Sequence, residues 1–334
     1  MKLDLTSDHI HTSMIVEASA GTGKTYAVAA LVARELAVRD DLRIGHILIT
    51  TFTRNAAMEL RHRIRKRLIS TASDLRGSSV DGADAVTRFL FDTDGSERSK
   101  RALRLERALV EFDTATISTI HGVCSRVLRT AGVDIETVVD AEETDRIVNE
   151  VVNDAIVVAA ASGQRWDEST LRLLLTTLLG DPFIETWFDE QEIEDQVIID
   201  RLCNLKEMLA QCVRRVHNAM ASTPDSNDLL RRAYELVADP RSAMVKRLQK
   251  RFLLAIVDEA QDTDRLQWEF FTRLFPGSDD RSLVSVGDPK QAIYSFRGAV
   301  VQAYVNFTKK AKNHRTLSTN WRSDQPLLES LNKA

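Results

Sequence analysis

The stretch Val16–Val28, VEASAGTGKTYAV, decides the fold. It starts as an apolar strand, continues through small residues and glycines, and places Lys24 and Thr25 at the start of a helical pattern. Glycines allow the backbone to curl until successive N–H groups point inward, and the N-terminus of a helix adds partial positive charge. Ala18–Thr25 fits the phosphate-binding pattern G-x-x-x-x-G-K-[ST], with alanine at the first glycine. The stretch therefore predicts a nucleotide-binding loop rather than a chance glycine-rich turn, with Lys24 as a cation and Thr25 as a ligand of Mg²⁺.

Short apolar runs around this loop indicate a parallel sheet. Four of them read as buried strands: MIVEA (14–18), ILIT (47–50), LLAIVDE (253–259) and SLVSVGD (282–288). The first two are followed by helical patterns whose apolar residues share a face: Val28, Leu31, Val32 and Leu36, then Ala57, Leu60, Ile64 and Leu68. Strand–helix alternation predicts a doubly wound α/β fold that binds its ligand at the carboxyl ends of the strands.

Two segments depart from this alternation. Residues 74–100 are rich in Gly, Ser and Asp, which predicts a surface excursion. From about Gly132 to Ser226 the pattern is mostly helical and acidic, without a strong strand. We interpret this second segment as a helical subdomain inserted into the sheet domain.

Composition excludes several classes of protein. The 334 residues leave room for two domains, and 43% apolar with 28% charged residues is ordinary for a globular protein. No apolar run approaches the roughly 20 residues that cross a bilayer, and the start MKLDLTSDHI lacks the pattern of an export signal. Cys124, Cys203 and Cys212 stand singly, so neither a disulfide framework nor a cysteine metal site is predicted. We expect a cytoplasmic protein, and the net charge of −4 does not by itself indicate nucleic-acid binding.

A pair of acidic residues after the third apolar run completes a hydrolytic site. Asp258 can hold Mg²⁺, and the adjacent Glu259 can polarise an attacking water. Acidic residues often end strands without any further role. Their coincidence with a phosphate loop nevertheless predicts nucleotide hydrolysis.

The string VGDPKQAIYSFRGA supplies a third element. The amide of Gln291 both donates and accepts, which suits it to a γ-phosphate or its attacking water. Tyr294 and Phe296 are either core residues or a stacking surface for bases. Their polar neighbours, including Arg297, favour the stacking interpretation.

In their order along the chain, these strings closely resemble the superfamily 1 DNA helicases of the UvrD/Rep group, and the RecB-type subunits most of all. The resemblance covers EASAGTGKT (motif I), TTFTRNAAMELRHRIR (motif Ia), TISTIHGVCSRVLR, SNDLLRRA, VDEAQDTDRLQWEFF (motif II), VGDPKQAIYSFRGA (motif III) and TLSTNWRS (motif IV).

The resemblance implies a role for each matched residue. Glu259 would be the catalytic base, Gln291 the γ-phosphate sensor, and Arg322 a cation that reaches the γ-phosphate from a second motor domain. Asp258 and Thr25 would bind Mg²⁺. ATP would contact Ala18, Ser19, Ala20, Gly21, Thr22, Gly23, Lys24 and Thr25, with its adenine on Trp321. Single-stranded DNA would contact Thr51, Phe52, Thr53, Asn55, Thr119, His121, Tyr294, Phe296 and Arg297. The basic run Arg61–Leu68 would serve as a DNA contact or as packing support, and both alternatives stay open.

The resemblance also implies a domain plan. Residues 1–131 and 227–315 would form a RecA-like P-loop motor domain, 132–226 its helical insertion, and 316–334 the start of a second motor domain. Since the sequence ends after motif IV, without motifs V and VI, we expect this chain alone to hydrolyse ATP slowly or not at all. His11 or a neighbour stands where many members carry an adenine-reading glutamine.

We therefore expect the N-terminal portion of a RecB/UvrD-like 3′→5′ DNA helicase, in which ATP hydrolysis drives translocation on single-stranded DNA and duplex unwinding in repair or recombination. The expected partners are single-stranded DNA, a polypeptide that supplies the second motor domain, and RecC/RecD-like subunits. The alternative is a non-motor module that binds single-stranded DNA or a partner under the control of ATP. An unrelated P-loop kinase or GTPase is disfavoured by motifs Ia, III and IV.

Overall fold

The structure is a computed structural model that describes residues 1–8, 10, 13–135, 138–181, 183–184, 193, 195–276, 281–292 and 313–321. Five residues singled out by sequence lie outside this set: His11, Tyr294, Phe296, Arg297 and Arg322. The chain divides into two compact units. One comprises the described residues of 1–123 and 237–334, and the other those of 124–236.

The first unit is built on a parallel sheet of six strands in the order β3-β2-β4-β5-β1-β6. The strands are β1 (Met14–Ala18), β2 (Ile47–Thr51), β3 (Thr116–Thr119), β4 (Leu254–Asp258), β5 (Ser282–Gly287) and β6 (Asn313–Leu317). This sheet confirms the predicted parallel α/β fold class. Because all strands point the same way, their carboxyl ends and the loops that follow share one edge of the sheet.

Helices pack against this sheet. They are α1 (Lys24–Val38), α2 (Arg54–Arg76), α3 (Ala85–Phe91), α4 (Gly95–Val110), α10 (Ala243–Arg251) and α11 (Arg265–Leu274). Helix α1 is buried on all sides from Ala27 to Ala37, so the single apolar face predicted for it is too narrow. It is covered by α2, α3 and α4. The buried Arg34 pairs with Glu35 and donates to the carbonyls of Leu5 and Asp8, which satisfies its charge.

The segment 74–100 differs from its prediction, because it contains α3 and the start of α4. Val86 and Leu90 of α3, and Ala102 and Leu105 of α4, are fully buried in the main core. The Asp residues that suggested a surface excursion act instead as helix caps. Asp84 accepts hydrogen bonds from the first turn of α3, and Asp94 from that of α4.

The second unit is helical in its described residues, as the sequence predicts for an inserted subdomain. It contains α6 (Ala141–Ala161), α7 (Glu168–Gly180) and α8 (Gln196–Ala219), which share a core of their own. Three of its acidic residues act as N-caps: Asp140, Asp167 and Asp195. Helices α5 (Ile120–Thr130) and α9 (Ser226–Ala238) contain the points where the two units meet along the chain. The exact domain boundaries stay a prediction.

No helix among the described residues is long and apolar enough to span a bilayer.

Candidate functional site

The glycine-rich loop Ser19–Gly23 joins β1 to α1. Gly21 and Gly23 have φ angles of 78° and 85°, in the left-handed region that side chains disfavour. The hydroxyl and the backbone N–H of Thr22 both bond to the carbonyl of Ser19, at 2.8 and 3.2 Å. The two glycines and this turn curl the loop, and Gly23 then caps α1, whose first residue is Lys24.

Lys24 contacts an acidic residue that follows a strand distant in sequence. Its Nζ atom lies 2.7 Å from Oε2 of Glu259, which directly follows β4. Glu259 is the one non-glycine residue with positive φ, 53°, among the described residues. A strained backbone of this kind marks a position fixed by its surroundings and is frequent at functional sites. The fold therefore brings the loop lysine and the acidic pair together.

The carboxylates beside Glu259 are suited to a hard cation. Oδ1 of Asp258 and Oδ1 of Asp262 are buried without a hydrogen-bond partner. Burial, followed by the charge of Glu259, raises the pKa of both groups to about 6, although Lys24 opposes this. Unpartnered buried carboxylate oxygens are the ligands that Mg²⁺ accepts, usually together with substrate phosphates. These residues fit the predicted metal.

Gln291, the third sequence-predicted group, belongs to a short 3₁₀ turn (Pro289–Gln291) after β5. Its Nε2 donates to Oδ2 of Asp288 at 2.6 Å, and the N–H of Asp288 donates to Oε1 of Gln261 at 3.0 Å. The neighbouring strands β4 and β5 are thus linked at their carboxyl ends by side chains.

A pocket of about 470 Å³ opens over the loop. This volume suits a small molecule or nucleotide. It is lined by Gly21, Gly23, Lys24, Thr25, Tyr26, Glu59, Arg63, Glu259 and Trp321.

Two aromatic rings flank the loop side of this pocket. Trp321 is 79% exposed, and its backbone N–H donates to the carbonyl of Gly21 at 2.8 Å. Tyr26 is 46% exposed. A Cβ atom built on Gly23 would lie 3.7 Å from Trp321 and 3.9 Å from Tyr26. The indole ring of Trp321 and the Cβ atom of Tyr26 therefore border the same glycine.

Sequence reasoning did not assign Tyr26, Glu59 or Arg63 to the site. Tyr26 directly follows the Lys-Thr pair, so its position could have suggested it. Glu59 and Arg63 form an i,i+4 ion pair of 2.6 Å on α2, which the sequence shows only as one pair within a charged helix. Their approach to the loop is a result of tertiary packing.

The ring of Tyr26 contacts Arg67 of α2, which in turn binds Asp84, the N-cap of α3. The guanidinium of Arg67 lies 5.6 Å from the centroid of its ring and binds both oxygens of Asp84. Burial and the neighbouring Asp84 carboxylate raise the pKa of the Tyr26 phenol. The cluster fixes the ring that faces the pocket.

The residues predicted to touch DNA lie at the carboxyl ends of β2 and β3. Thr51 and Thr119 are register partners in these adjacent strands. Thr51 is buried with an unpartnered hydroxyl, whereas Thr53 caps α2 by accepting from the N–H of Ala56 at 3.1 Å. Phe52 and His121 are half-buried, and Asn55 is exposed. Six of the nine predicted residues thus share one edge, and Tyr294, Phe296 and Arg297 lie outside the described residues.

Gly122, in the first turn of α5, lies close to the end of β3. A Cβ atom on Gly122 would lie only 2.2 Å from Oγ of Ser118, and the N–H of Gly122 donates to the hydroxyl of Thr119 at 3.3 Å. A larger residue at the glycine of the Thr-x-His-Gly segment would have to displace the Ser118 hydroxyl.

A second cavity, of about 20 Å³, lies between these strand ends and the acidic pair. Thr51, Phe52 and Ile120 line it from one side, and Asp258, Glu259 and Asp262 from the other. The space is enough for about one water molecule. Glu259 borders both this cavity and the pocket over the loop.

Three of the six basic residues in the run Arg61–Leu68 have hydrogen-bonded or ion-paired partners within the chain. Arg61 donates to the carbonyls of Phe112 and Ala115, Arg63 pairs with Glu59, and Arg67 with Asp84. His62, Arg65 and Lys66 are exposed. Packing support accounts for half of the run, and the exposed residues leave its DNA role a prediction.

A parallel sheet that carries a phosphate-loop sequence between a strand and a helix, with an acidic residue of another strand at the loop lysine, is the architecture of RecA-like P-loop domains. The sequence model of the UvrD/REP helicase N-terminal domain matches residues 4–312. The chain therefore belongs to the UvrD/REP helicase family, which confirms the resemblance.

Curated relatives agree with this family. The chain is 35% identical to the RecBCD enzyme subunit RecB of Mycobacterium tuberculosis over 326 residues, and 34% identical to that of Mycolicibacterium smegmatis over 329 residues. Each match covers 96% of this chain but only 29% of the relative. A probable DNA helicase II homolog of Mycoplasma capricolum is 25% identical, over 99% of this chain and 41% of the relative.

Proposed function

We propose that this chain binds ATP with Mg²⁺ over the glycine loop and hydrolyses it as the N-terminal motor portion of a UvrD/RecB-type 3′→5′ DNA helicase. The observation that carries the proposal is the 2.7 Å contact between Lys24 and Glu259, inside a pocket of nucleotide size. It joins the phosphate-binding cation to a carboxylate that can act as a base.

The pair has two uses in this mechanism. The β- and γ-phosphates of ATP compete for the Lys24 ammonium, since a polyphosphate carries more charge than one carboxylate. Released from Lys24, Glu259 accepts a proton from the attacking water. Gln291 and Arg322 act at the γ-phosphate, and the loop residues Ala18–Gly23 supply backbone N–H groups.

The base of the nucleotide fits between the two exposed rings. Trp321 and Tyr26 border the same glycine of the loop and offer flat apolar faces. Stacking on aromatic faces is tolerant of base identity. We therefore expect both rings to contribute to nucleotide affinity.

Asp258 and Thr25 would hold Mg²⁺. The ion, when bound, neutralises the charge that develops on the phosphates. Asp258 is suited to this because its Oδ1 is buried without a donor.

The DNA side of the proposal involves the edge formed by β2 and β3. Exposed and half-buried residues at this edge, Phe52, Asn55 and His121, are available to single-stranded DNA. Of these three, Phe52 lines the small cavity together with Asp258 and Glu259, which offers a direct route by which DNA binding affects hydrolysis. Translocation then requires a second motor domain, and the boundaries given above for 1–131, 132–226, 227–315 and 316–334 belong to this proposal.

The relatives named as RecB are subunits of the RecBCD enzyme. By analogy we propose that the protein works in repair or recombination together with RecC/RecD-like subunits. The chain spans less than a third of the length of these relatives, at 29%. The activity and partners of the whole protein are therefore proposals.

The test is ATP turnover with and without single-stranded DNA, compared with Lys24→Ala. We expect turnover to be slow, to rise when DNA is added, and to fall by at least about 10²-fold in the variant, because the cation at the phosphates is lost. Equal turnover in both proteins would rule out this pocket as the site. Tighter DNA binding in ATP without DNA-stimulated turnover would favour the ATP-gated binding module. Robust strand separation by the purified chain would contradict the expected slow activity.

A further inference from the structure

Gln261 has no assigned role, although it lies between the two catalytic strand ends. It is in the 3₁₀ turn Ala260–Asp262 that follows Glu259, and only 3% of it is exposed. A buried polar side chain of this size needs specific partners.

Both ends of the Gln261 amide are engaged. Its Nε2 donates to Oε2 of Glu259 at 2.9 Å and to Oδ2 of Asp262 at 3.3 Å. Its Oε1 accepts the N–H of Asp288, just after β5, at 3.0 Å. An amide donates and accepts in this way, whereas an ionised carboxylate lacks the donor and a thioether has no donor and only a weak acceptor.

The contacts continue to Gln291. Oδ2 of Asp288 accepts from Nε2 of Gln291 at 2.6 Å. A continuous chain of hydrogen bonds therefore runs from Glu259 through Gln261 and Asp288 to Gln291. The other partner of the same Glu259 oxygen is Lys24.

The backbone leaves little room for this chain to shift. A Cβ atom on Gly287 would lie 2.6 Å from Oε1 of Gln261 and 3.2 Å from the backbone N of Ala260. The end of β5 thus packs directly on the Gln261 amide. A side chain at position 287 would displace the Gln261 amide, which the glycine leaves in place.

We propose that Gln261 is a positioning residue that holds the Glu259 carboxylate in place when Lys24 turns to the phosphates, and that links it to Gln291. The inference rests on the proposed ATPase function. In this role Gln261 acts on the rate of hydrolysis and not on nucleotide affinity. It contacts the catalytic carboxylate of Glu259 and does not line the pocket over the loop.

The test compares Gln261→Met and Gln261→Glu with the wild-type chain in single-turnover ATP hydrolysis, with protein in excess, and in ATP binding. Methionine keeps the volume and removes the hydrogen bonds. Glutamate removes the donor and adds a charge beside Glu259. We expect both variants to lower the hydrolysis rate about 10- to 100-fold, as for a slightly misplaced catalytic group. The Kd for ATP should stay within about three-fold. The melting temperature of the Met variant should fall by several degrees, because the buried N–H of Asp288 loses its acceptor, but the protein should stay folded at the assay temperature.

The matched control is Gln249→Met. Gln249 is a half-buried glutamine of the same unit that bonds only to the carbonyl of Arg273 in the described residues, at 3.4 Å. Its variant should hydrolyse ATP at the wild-type rate.

A double-mutant cycle tests the link itself. If Gln261 acts through Gln291, the loss in the Gln261→Met/Gln291→Ala protein is much smaller than the product of the two single losses.

Outcomes for the two proposals differ. A wild-type chain that neither binds nor cleaves ATP overturns the proposed function. A wild-type chain that binds ATP but cleaves none overturns the proposed hydrolysis and the inference that rests on it. Where the wild-type chain cleaves ATP, the inference alone is overturned if the Gln261→Met rate is unchanged, if rate and affinity fall together, or if the two losses multiply.

Discussion

At the scale of single residues, the site combines groups that the sequence marks and groups that only the fold reveals. Lys24, Asp258 and Glu259 were predictable because each lies in a short string with a known chemical use. Tyr26 and Gln261 stand beside such strings but were given no role, and Arg63 is a neighbour of the site only through packing between elements. Their residue types in the sequence are compatible with an ordinary helix or turn.

Tyr26 offers a prediction about nucleotide affinity. Replacing Tyr26 with Ala removes one wall of the base site and should weaken ATP binding about ten-fold, since one stack is worth about 1–3 kcal/mol. Inorganic tripolyphosphate has no base, so its binding should be unchanged. Calorimetric titration of both ligands measures this.

The conservative variant Tyr26→Phe keeps the ring and serves as the control. Its affinity for ATP should remain near that of the wild type. An equal loss for ATP and tripolyphosphate in Tyr26→Ala would mean that the ring supports the loop and does not contact the base.

Asp258 offers a prediction about metal. Its buried, unpartnered oxygen next to Glu259 costs stability that a bound cation would recover. We expect Mg²⁺ with ADP to raise the melting temperature of the wild-type protein. Asp258→Asn should melt higher than the wild type without Mg²⁺ and should lose most of the Mg²⁺-dependent increase.

Differential scanning fluorimetry with and without Mg²⁺ checks this. Asp81→Asn, at an exposed position of the same unit, is the control and should behave as the wild type. An undiminished Mg²⁺ effect in Asp258→Asn would place the metal elsewhere.

At the scale of elements, predictability follows burial. The four strands predicted from sequence, β1, β2, β4 and β5, are the inner four of the sheet, and each is an almost continuous buried run. The two that were not predicted, β3 and β6, are its edges. Their sequences, TIST and NHRTL, are largely polar, as is usual at the edge of a sheet. Among the described residues, the outer side of β6 pairs only through an isolated bridge from Lys2 to Thr316.

Helices α3 and α4 were missed for a related reason. Their capping residues, Asp84 and Asp94, are of a type that is also common in loops. Each helix has only a few buried positions, so its apolar pattern is weak. A search for Asp at the start of each helical pattern would have identified both helices.

The ion pair between Arg67 of α2 and Asp84, the N-cap of α3, predicts that stability depends on pH. Burial raises the pKa of Asp84, but hydrogen bonds from Arg67 and from the first turn of α3 outweigh this and hold it well below its usual value of 3.8. Since the folded-state pKa is the lower one, the pair stabilises the fold above about pH 4, and this contribution is lost as the pH falls further. Asp84→Asn should cost about 1–3 kcal/mol at pH 7 and clearly less at pH 3.5, as measured by urea unfolding.

Glu106→Gln breaks a more exposed ion pair, Arg76–Glu106, and is the matched control. Its cost should be below about 1 kcal/mol. A cost for Asp84→Asn that does not change between pH 7 and pH 3.5 would show that the charge of Asp84 is unimportant.

At the scale of the whole molecule, the chain has two units with separate cores. The sheet unit contains all residues of the pocket over the loop, and the helical unit is held by its own apolar cluster. The sequence predicted an inserted helical segment because its strand pattern stops and its acidic content rises. The limits of the units, inside α5 and α9, could not be predicted since both helices continue across them.

Separate cores predict separable effects. Leu175 is fully buried in the helical unit, so Leu175→Ala should destabilise that unit by about 2–5 kcal/mol. Hydrogen exchange should then increase in α6, α7 and α8, while the Kd for ATP stays the same. Leu173→Ala, on the same helix at a position 66% exposed, should change neither quantity. A parallel loss of ATP binding in Leu175→Ala would show that the two cores are coupled.

The position of β1 between β5 and β6 also determines how late in translation the sheet can be completed. The strand is made early, yet Met14 pairs with Val284 on one side and with Asn313 on the other. At about 5–20 residues per second, β1 waits on the order of tens of seconds for its neighbours. During that time the apolar segment of β1 is exposed on the nascent chain. The glycine loop is therefore translated early, but it becomes a binding site only late in synthesis.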